Sequence, residues 1–223
     1  MNLEPHVAGD GIVFADSFWS PATVQAQNGV IVASTISKGI SPTGATGRVT
    51  YGGTESLLIN ATQMTVAMRF KMFSVDNVAA KGFLGKNTLA LTDNQFFVQI
   101  NPPGRNLSLY VSSSAADTAN YVYITTAMTL GAEATVHFVY NGGLAVGSRG
   151  AAYLNGLTTT SAIVGTLPAT MRASASPFSV LSVWGNAPDN DFILRNFRIF
   201  NFAMSAAEVS DDYYDLTNRE LTP

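Results

Sequence analysis

The chain has no cysteine in its 223 residues, which removes disulfides, thiolate metal sites and thiol catalysis together. Charge is also scarce. Asp, Glu, Lys and Arg make up 12% of the residues, against the usual quarter or so of a globular domain. The balance is −3 and no stretch clusters Lys or Arg, so a phosphate backbone finds no footing and nucleic acid is not expected as a partner. No apolar run reaches the roughly 18 residues of a membrane helix, so membrane insertion is not expected either. The opening MNLEPHVAGDGIVF lacks the basic-then-apolar order of a signal peptide. The two histidines, His6 and His137, stand alone, and His137 has no adjacent carboxylate or second histidine in sequence, so neither a triad nor a metal pair can be argued for it. His137 reads as a solvent-facing or hydrogen-bonded strand residue. No Gly-rich loop leads from a strand into a helix, which excludes a phosphate cradle.

What is present is apolar and β-rich. Apolar residues make up 47% of the chain, enough for a sizeable core in one domain of ordinary size. The clearest alternation is Thr65–Phe73, which predicts Val66, Met68, Phe70 and Met72 on one face and Thr65, Ala67, Arg69 and Lys71 on the other. Glu133–Tyr140 repeats the pattern with Ala134, Val136, Phe138 and Tyr140. Further strands are expected at Gln25–Ser37, Arg48–Tyr51, Asn106–Val111, Tyr121–Thr126 and Gly150–Leu154, with Asn87–Ile100 paired to its successor through the Pro102-Pro103-Gly104 turn. The first twenty residues are punctuated by Pro5, Gly9 and Gly11 and carry Phe14, Phe18 and Trp19. They read as a first core strand or as an arm that docks on a partner, ahead of one domain over 21–223.

The last fifth organises the rest. Phe178–Trp184 and Phe192–Phe200 are two β-rich runs around the polar connector Gly185–Asp191. Ser205 with Glu208 three residues later is a capping box, and Met204 with Val209 a hydrophobic staple. The helix they start carries its apolar stripe at Val209, Tyr213 and Leu216. It is too short to stand alone and must lean on a sheet.

The order of these pieces resembles a laminin-G-like, or concanavalin A-like, domain. Phe197-Arg198-Ile199-Phe200 followed by Ala203-Met204-Ser205-Ala206-Ala207-Glu208-Val209 is similar to that family's closing strand and helix. Tyr153-Leu154-Asn155-Gly156 matches its hairpin, and His137 stands at or near its histidine. Arg195-Asn196 occupy the place where the family often has an acidic pair. The resemblance runs over about residues 48–216. It implies an all-β fold, a two-sheet antiparallel β-sandwich of jelly-roll type with one short C-terminal helix.

Related glucanases place Glu-x-Asp-x-x-Glu on one strand, pointing all three carboxyls into a cleft. Glu4, Glu55, Glu133, Glu208 and Glu220 have no such spacing, so no enzyme is expected. Asp189 and Asp191 form the best hard-cation pair, a calcium candidate set against ordinary turn chemistry; no other cofactor is expected. Trp184 with Asn186 could stack and hydrogen-bond a pyranose, unless the indole is core. Phe14, Phe18 and Trp19 are the candidate partner-binding aromatics.

Two readings follow for the function. The first is a structural protein at a virion surface, a bacteriophage head-decoration or tail component attaching to a protein assembly such as a capsid, with homo-oligomers possible. Low charge, no cysteine and an aromatic N-terminal segment suggest it. The second is an extracellular carbohydrate-binding, lectin-like module for a cell-surface or plant glycan.

Overall fold

The computed structural model describes residues 12–17, 30–32, 40–42, 49–51, 58–73, 80–88, 92–101, 105–116, 118–180 and 192–218. Among these, two antiparallel sheets face each other and one helix lies on the outside of the first. The fold is the expected sandwich.

The eight-stranded sheet is built around β5 (Gln63–Met72), which lies between β10 (Glu133–Asn141) and β15 (Phe192–Phe200). Beyond β10 come β11 (Gly150–Leu154) and the two-residue β12 (Leu157–Thr158). The far edge of β15 is shared. Its later half pairs with β1 (Ile12–Ser17), and Leu194 pairs with Ile40 of β3 (Ile40–Pro42), which in turn holds β2 (Val30–Val32). Of the N-terminal twenty residues, Ile12–Ser17 is therefore a sheet strand.

The seven-stranded sheet runs β13 (Ser161–Val164), β9 (Tyr121–Ile124), β8 (Asn106–Val111), β7 (Phe96–Asn101), β6 (Lys81–Lys86), β14 (Phe178–Val180) and β4 (Val49–Tyr51). The strand expected over Asn87–Ile100 begins only at Phe96, because the residues before it fold into a clasp described below. The run expected over Phe178–Trp184 is described to Val180, and residues 181–191 lie outside the described part. β12 is the return strand of the expected hairpin, whereas β13, a short edge piece in a Thr- and Ser-rich stretch, has no strand pattern of its own.

Strand alternation decides the core. Val66, Met68, Phe70 and Met72 of β5 point inward with Val136, Phe138 and Tyr140 of β10, against Val98 and Ile100 of β7 and Leu107, Leu109 and Val111 of β8. The Phe83 ring packs at 4.9 Å on Phe70 and 4.3 Å on Phe192, joining the two sheets. The Tyr140 hydroxyl is taken into this interior and donates to the Pro168 carbonyl at 2.8 Å; burial pushes its pKa up to about 12, with Arg149 acting weakly the other way.

The opposite face of β5 is covered by helix α1 (Ala206–Asn218). Ala67, Val139 and Phe200 pack there with Met204 and Val209, the staple pair. The capping box forms as expected: the Ser205 N–H donates to Glu208 Oε2 at 2.7 Å and the Glu208 N–H to Ser205 Oγ at 3.3 Å. Thr65 fixes the approach to the helix, its hydroxyl donating to the Phe202 carbonyl at 2.9 Å and accepting from the Met204 N–H at 3.0 Å.

The Asn155-Gly156 pair turns β11 into β12 with φ of 53° and 76°, as a two-residue hairpin of that sequence should. Asn155 also exchanges backbone and side-chain hydrogen bonds with Thr135 at 2.8 and 2.9 Å, so the turn is tied back to β10. Gly156 is required twice over, since a Cβ there would lie 2.7 Å from the Tyr213 ring.

Candidate binding face

With one side of the sandwich under the helix, the other outer surface is that of the seven-stranded sheet. Alternation puts Phe97, Gln99 and Asn101 of β7, Ser108 and Tyr110 of β8, and Tyr121 and Tyr123 of β9 on it, because Phe96, Val98, Ile100, Leu109, Val122 and Ile124 go to the core. Register then aligns two rows across the strands. Gly85, Phe97, Tyr110, Tyr121 and Val164 form one; Gly82, Gln99, Ser108, Tyr123 and Ala162 form the other.

The first row is an aromatic stack. Phe97 and Tyr110 lie 4.4 Å apart and within 9° of parallel, and Tyr121 continues at 4.6 Å from Tyr110. Tyr123 stands 5.9 Å from Tyr121, one step along its strand. Phe97 sits directly beside Gly85, where a Cβ would come within 2.5 Å of the Phe97 Cβ, so the bare glycine makes room for the first ring. Exposure rises along the stack. Phe97 is fully buried and Tyr110 is 7% exposed, whereas Tyr121 and Tyr123 are partly exposed.

The second row supplies polar groups. Gln99 Nε2 donates to Asn101 Oδ1 at 2.6 Å and to the Tyr110 hydroxyl at 3.1 Å, and Asn101 Nδ2 donates to Ser108 Oγ at 2.8 Å. Burial raises the Tyr110 pKa, against the hydrogen bonds from Asn101 and Gln99, so the phenol stays protonated and able to donate. Gln99 is 5% exposed, yet its Oε1 has no hydrogen-bond partner. Such an orphan acceptor costs on the order of 1–3 kcal/mol.

The remaining polar constellations hold the fold. Asp212 of α1 sits over Ala67, accepting from Arg198 Nη1 at 2.6 Å and pairing with His137 Nε2 at 2.8 Å. All three are at most 9% exposed. His137 is thus a buried, hydrogen-bonded residue, and its partner lies 75 positions away. The helical spacing carried a signal for it, since Asp212 falls one turn after the sheet-facing Val209. Asp93 is a second knot. It takes Arg172 Nη1 at 2.6 Å, the hydroxyls of Ser174 and Ser176 at 2.9 and 3.1 Å, and the N–H groups of Ala175 and Ser176 at 3.0 and 3.1 Å. Burial alone would raise its pKa, but the hydrogen bonds from Arg172, Ser174 and Ser176 outweigh it and hold the carboxyl below its ordinary value. Glu133 bridges Arg195 at 2.6 Å and Arg69 at 3.5 Å. Glu208 is the helix cap.

Of the residues singled out from sequence, Phe18, Trp19, Trp184, Asn186, Asp189 and Asp191 lie outside the described residues. Phe14 falls on β1 opposite Ile199. Among the described residues no three His, Asp or Glu side chains gather where a metal ion could be held. No described helix is long and apolar enough to cross a membrane. The aromatic stack was missed because its members alternate with core residues on three separate strands, and only the register brings them together.

A family model for the concanavalin A-like lectin/glucanases superfamily matches residues 43–210. No curated protein matches the chain by sequence. Among solved structures, the binding domain of botulinum neurotoxin serotype G is similar over 92% of this chain with a TM-score of 0.66 and 12% identity. A botulinum neurotoxin type C structure is similar over 86% with a TM-score of 0.60 and 12% identity. Trypanosoma rangeli sialidase is similar over 93% with a TM-score of 0.57 and 14% identity. The chain spans 51% and 46% of the two neurotoxin chains and 33% of the sialidase. At these identities the likeness is one of fold.

Proposed function

Because the chain belongs to the concanavalin A-like lectin/glucanase superfamily, we propose that it is a non-catalytic binding module that takes a glycan on the outer face of its seven-stranded sheet. The observation that carries this reading is the pairing, on one surface, of an aromatic stack that becomes exposed toward β9 with a row of amides and hydroxyls. A pyranose ring has an apolar face that lies on an aromatic ring and a rim of hydroxyls that needs donors and acceptors. The other outer face is filled by α1. Botulinum neurotoxin type C, of which this chain spans 46%, depends on interaction with two ganglioside molecules for cell entry, which is in keeping with a glycan ligand.

Catalysis is not part of the reading. Of the carboxylates with described side chains, Asp93, Glu133, Glu208 and Asp212 are committed to arginines, serines or a helix cap, leaving only Asp211, exposed on α1. A hydrolase of glycosidic bonds needs two carboxyls placed about the scissile bond.

Attachment to a virus particle has no comparable observation behind it. Ile12–Ser17 contributes a sheet strand, Phe18 and Trp19 lie outside the described residues, and none of the structures named above is a virion component. With a glycan as its ligand, the proposed site of action is an extracellular surface. The test is a glycan array probed with the purified chain, alongside reducing-sugar assays on every glycan that is bound. Binding without release of sugar is expected; no binding to any glycan, or release that one Asp or Glu substitution abolishes, would overturn the reading.

A further inference from the structure

Resting on that reading, we infer that the ligand is an uncharged pyranose and that it sits at the β9–β13 end of the face, against Tyr121 and Tyr123. Three observations fix the place. In the stack, Phe97 and Tyr110 give their flat faces to each other and Tyr110 and Tyr121 follow, so the inner rings have little surface left to offer. Only the outermost member, Tyr121, with Tyr123 beside it, keeps partial exposure. The strand beyond them is the sheet edge, and it brings Val164 opposite Tyr121 and the small Ala162 opposite Tyr123. Ala162 has no side chain long enough to cover the Tyr123 ring, so a sugar can lie on that ring with the edge strand as its floor.

The chemical class follows from charge. The strand residues with described side chains that project from this face are aromatic, amide, hydroxyl or small, and none carries a charge. A carboxylate or sulfate laid against it loses hydration without gaining an ion pair, which is strongly unfavourable. A neutral sugar hydroxyl meets what the face offers. Gln99 lies two strands inward from Tyr123 along the same row, across Ser108, and is 5% exposed, so it belongs to the buried inner part of the face rather than to the sugar's seat.

The experiment titrates the full chain with neutral hexasaccharides (gluco-, manno-, galacto- and xylo-configured) and with two acidic probes, 6′-sialyllactose and a heparin-derived hexasaccharide, read by calorimetry. At least one neutral probe is expected to bind, with at least about tenfold weaker affinity in Tyr123→Ala, the usual effect of truncating an aromatic anchor. Ala162→Glu, which leaves every aromatic ring in place but fills the floor and adds a negative charge, is expected to weaken it likewise; it serves as the second variant should Tyr123→Ala melt early. Binding of the acidic probes alone, or neutral binding that both folded variants retain, overturns this inference while leaving glycan binding elsewhere on the module. No binding to any probe overturns both.

Discussion

Asp212 reaches down from α1 to His137, Oδ2 to Nε2 at 2.8 Å, at the point where only Ala67 separates His137 from Arg198 across the sheet. His137, Ala67 and Arg198 are cross-strand neighbours on β10, β5 and β15. The small middle residue leaves a hollow into which one carboxylate fits, bonding the residues on either side.

Removing that carboxylate takes from Arg198, whose side chain is 7% exposed, its 2.6 Å ion pair. Asp212→Ala is therefore expected to cost about 3–5 kcal/mol, the usual result of breaking a buried ion pair from one side. Urea denaturation followed by circular dichroism measures it. A loss below about 1 kcal/mol would mean that α1 is held by its apolar face alone.

Phe70 stands at the centre of the sandwich against Phe83, and it is 1% exposed. Phe70→Ala should cost about 3–5 kcal/mol through lost burial and the cavity left behind. Thermal and urea melts give the number, and a value near zero would contradict the register of β5.

Gly156→Ala meets two obstacles at once, a φ of 76° and the Tyr213 ring. The backbone part should cost about 1–2 kcal/mol and the clash adds to it. A double-mutant cycle with Tyr213→Ala separates the two, since removing the ring relieves the steric part only. Equal losses in both backgrounds would show that the helix shifts freely away from the turn.

Asp93 gives the chain a predictable response to acid. Its folded pKa lies below the ordinary 3.8, so the unfolded chain takes up a proton first as the pH falls. The stabilisation is complete above the unfolded value and is lost as the pH drops through the lower, folded one. Asp93→Asn should be less stable than the parent at neutral pH, and the gap should narrow in acid below about pH 4. Urea midpoints from pH 7 down to pH 2.5 check this. A gap that stays constant with pH would rule out the charged clasp.

Much of the sandwich could be read before the structure was known, and the reason is physical. Alternation on β5 and β10 records burial on one face, the Asn155-Gly156 pair encodes a left-handed turn, and the Ser205–Glu208 box marks a helix start through purely local bonds. The candidate face was not legible in the same way. Phe97, Tyr110 and Tyr121 occupy the positions that in a half-solvated sheet are polar, and each alone looks like one more apolar strand residue. Their stacking depends on the register of three strands, which hairpin geometry sets and composition does not. The same holds for His137, whose partner is separated from it by 75 residues. The nearest carboxylate in the chain, Glu133 on the same strand, bonds Arg195 instead.

The position of β15 has a consequence for the order of events in folding. This strand enters the sheet between β5, some 130 positions earlier in the chain, and the pair β1 and β3, with Ile12 placed opposite Phe200. Until residues near 200 have been made, β1 and the β2–β3 pair have no strand through which to join the sheet, and one flank of β5 has no partner strand. On a ribosome working from the N-terminus, the early strands must wait for nearly the whole chain. Contacts so distant in sequence also make the search for the native pairing slow. Refolding on the millisecond-to-second scale of non-local β-proteins follows, and a chain cut short before Phe192 would be left with open strand edges and a tendency to self-associate.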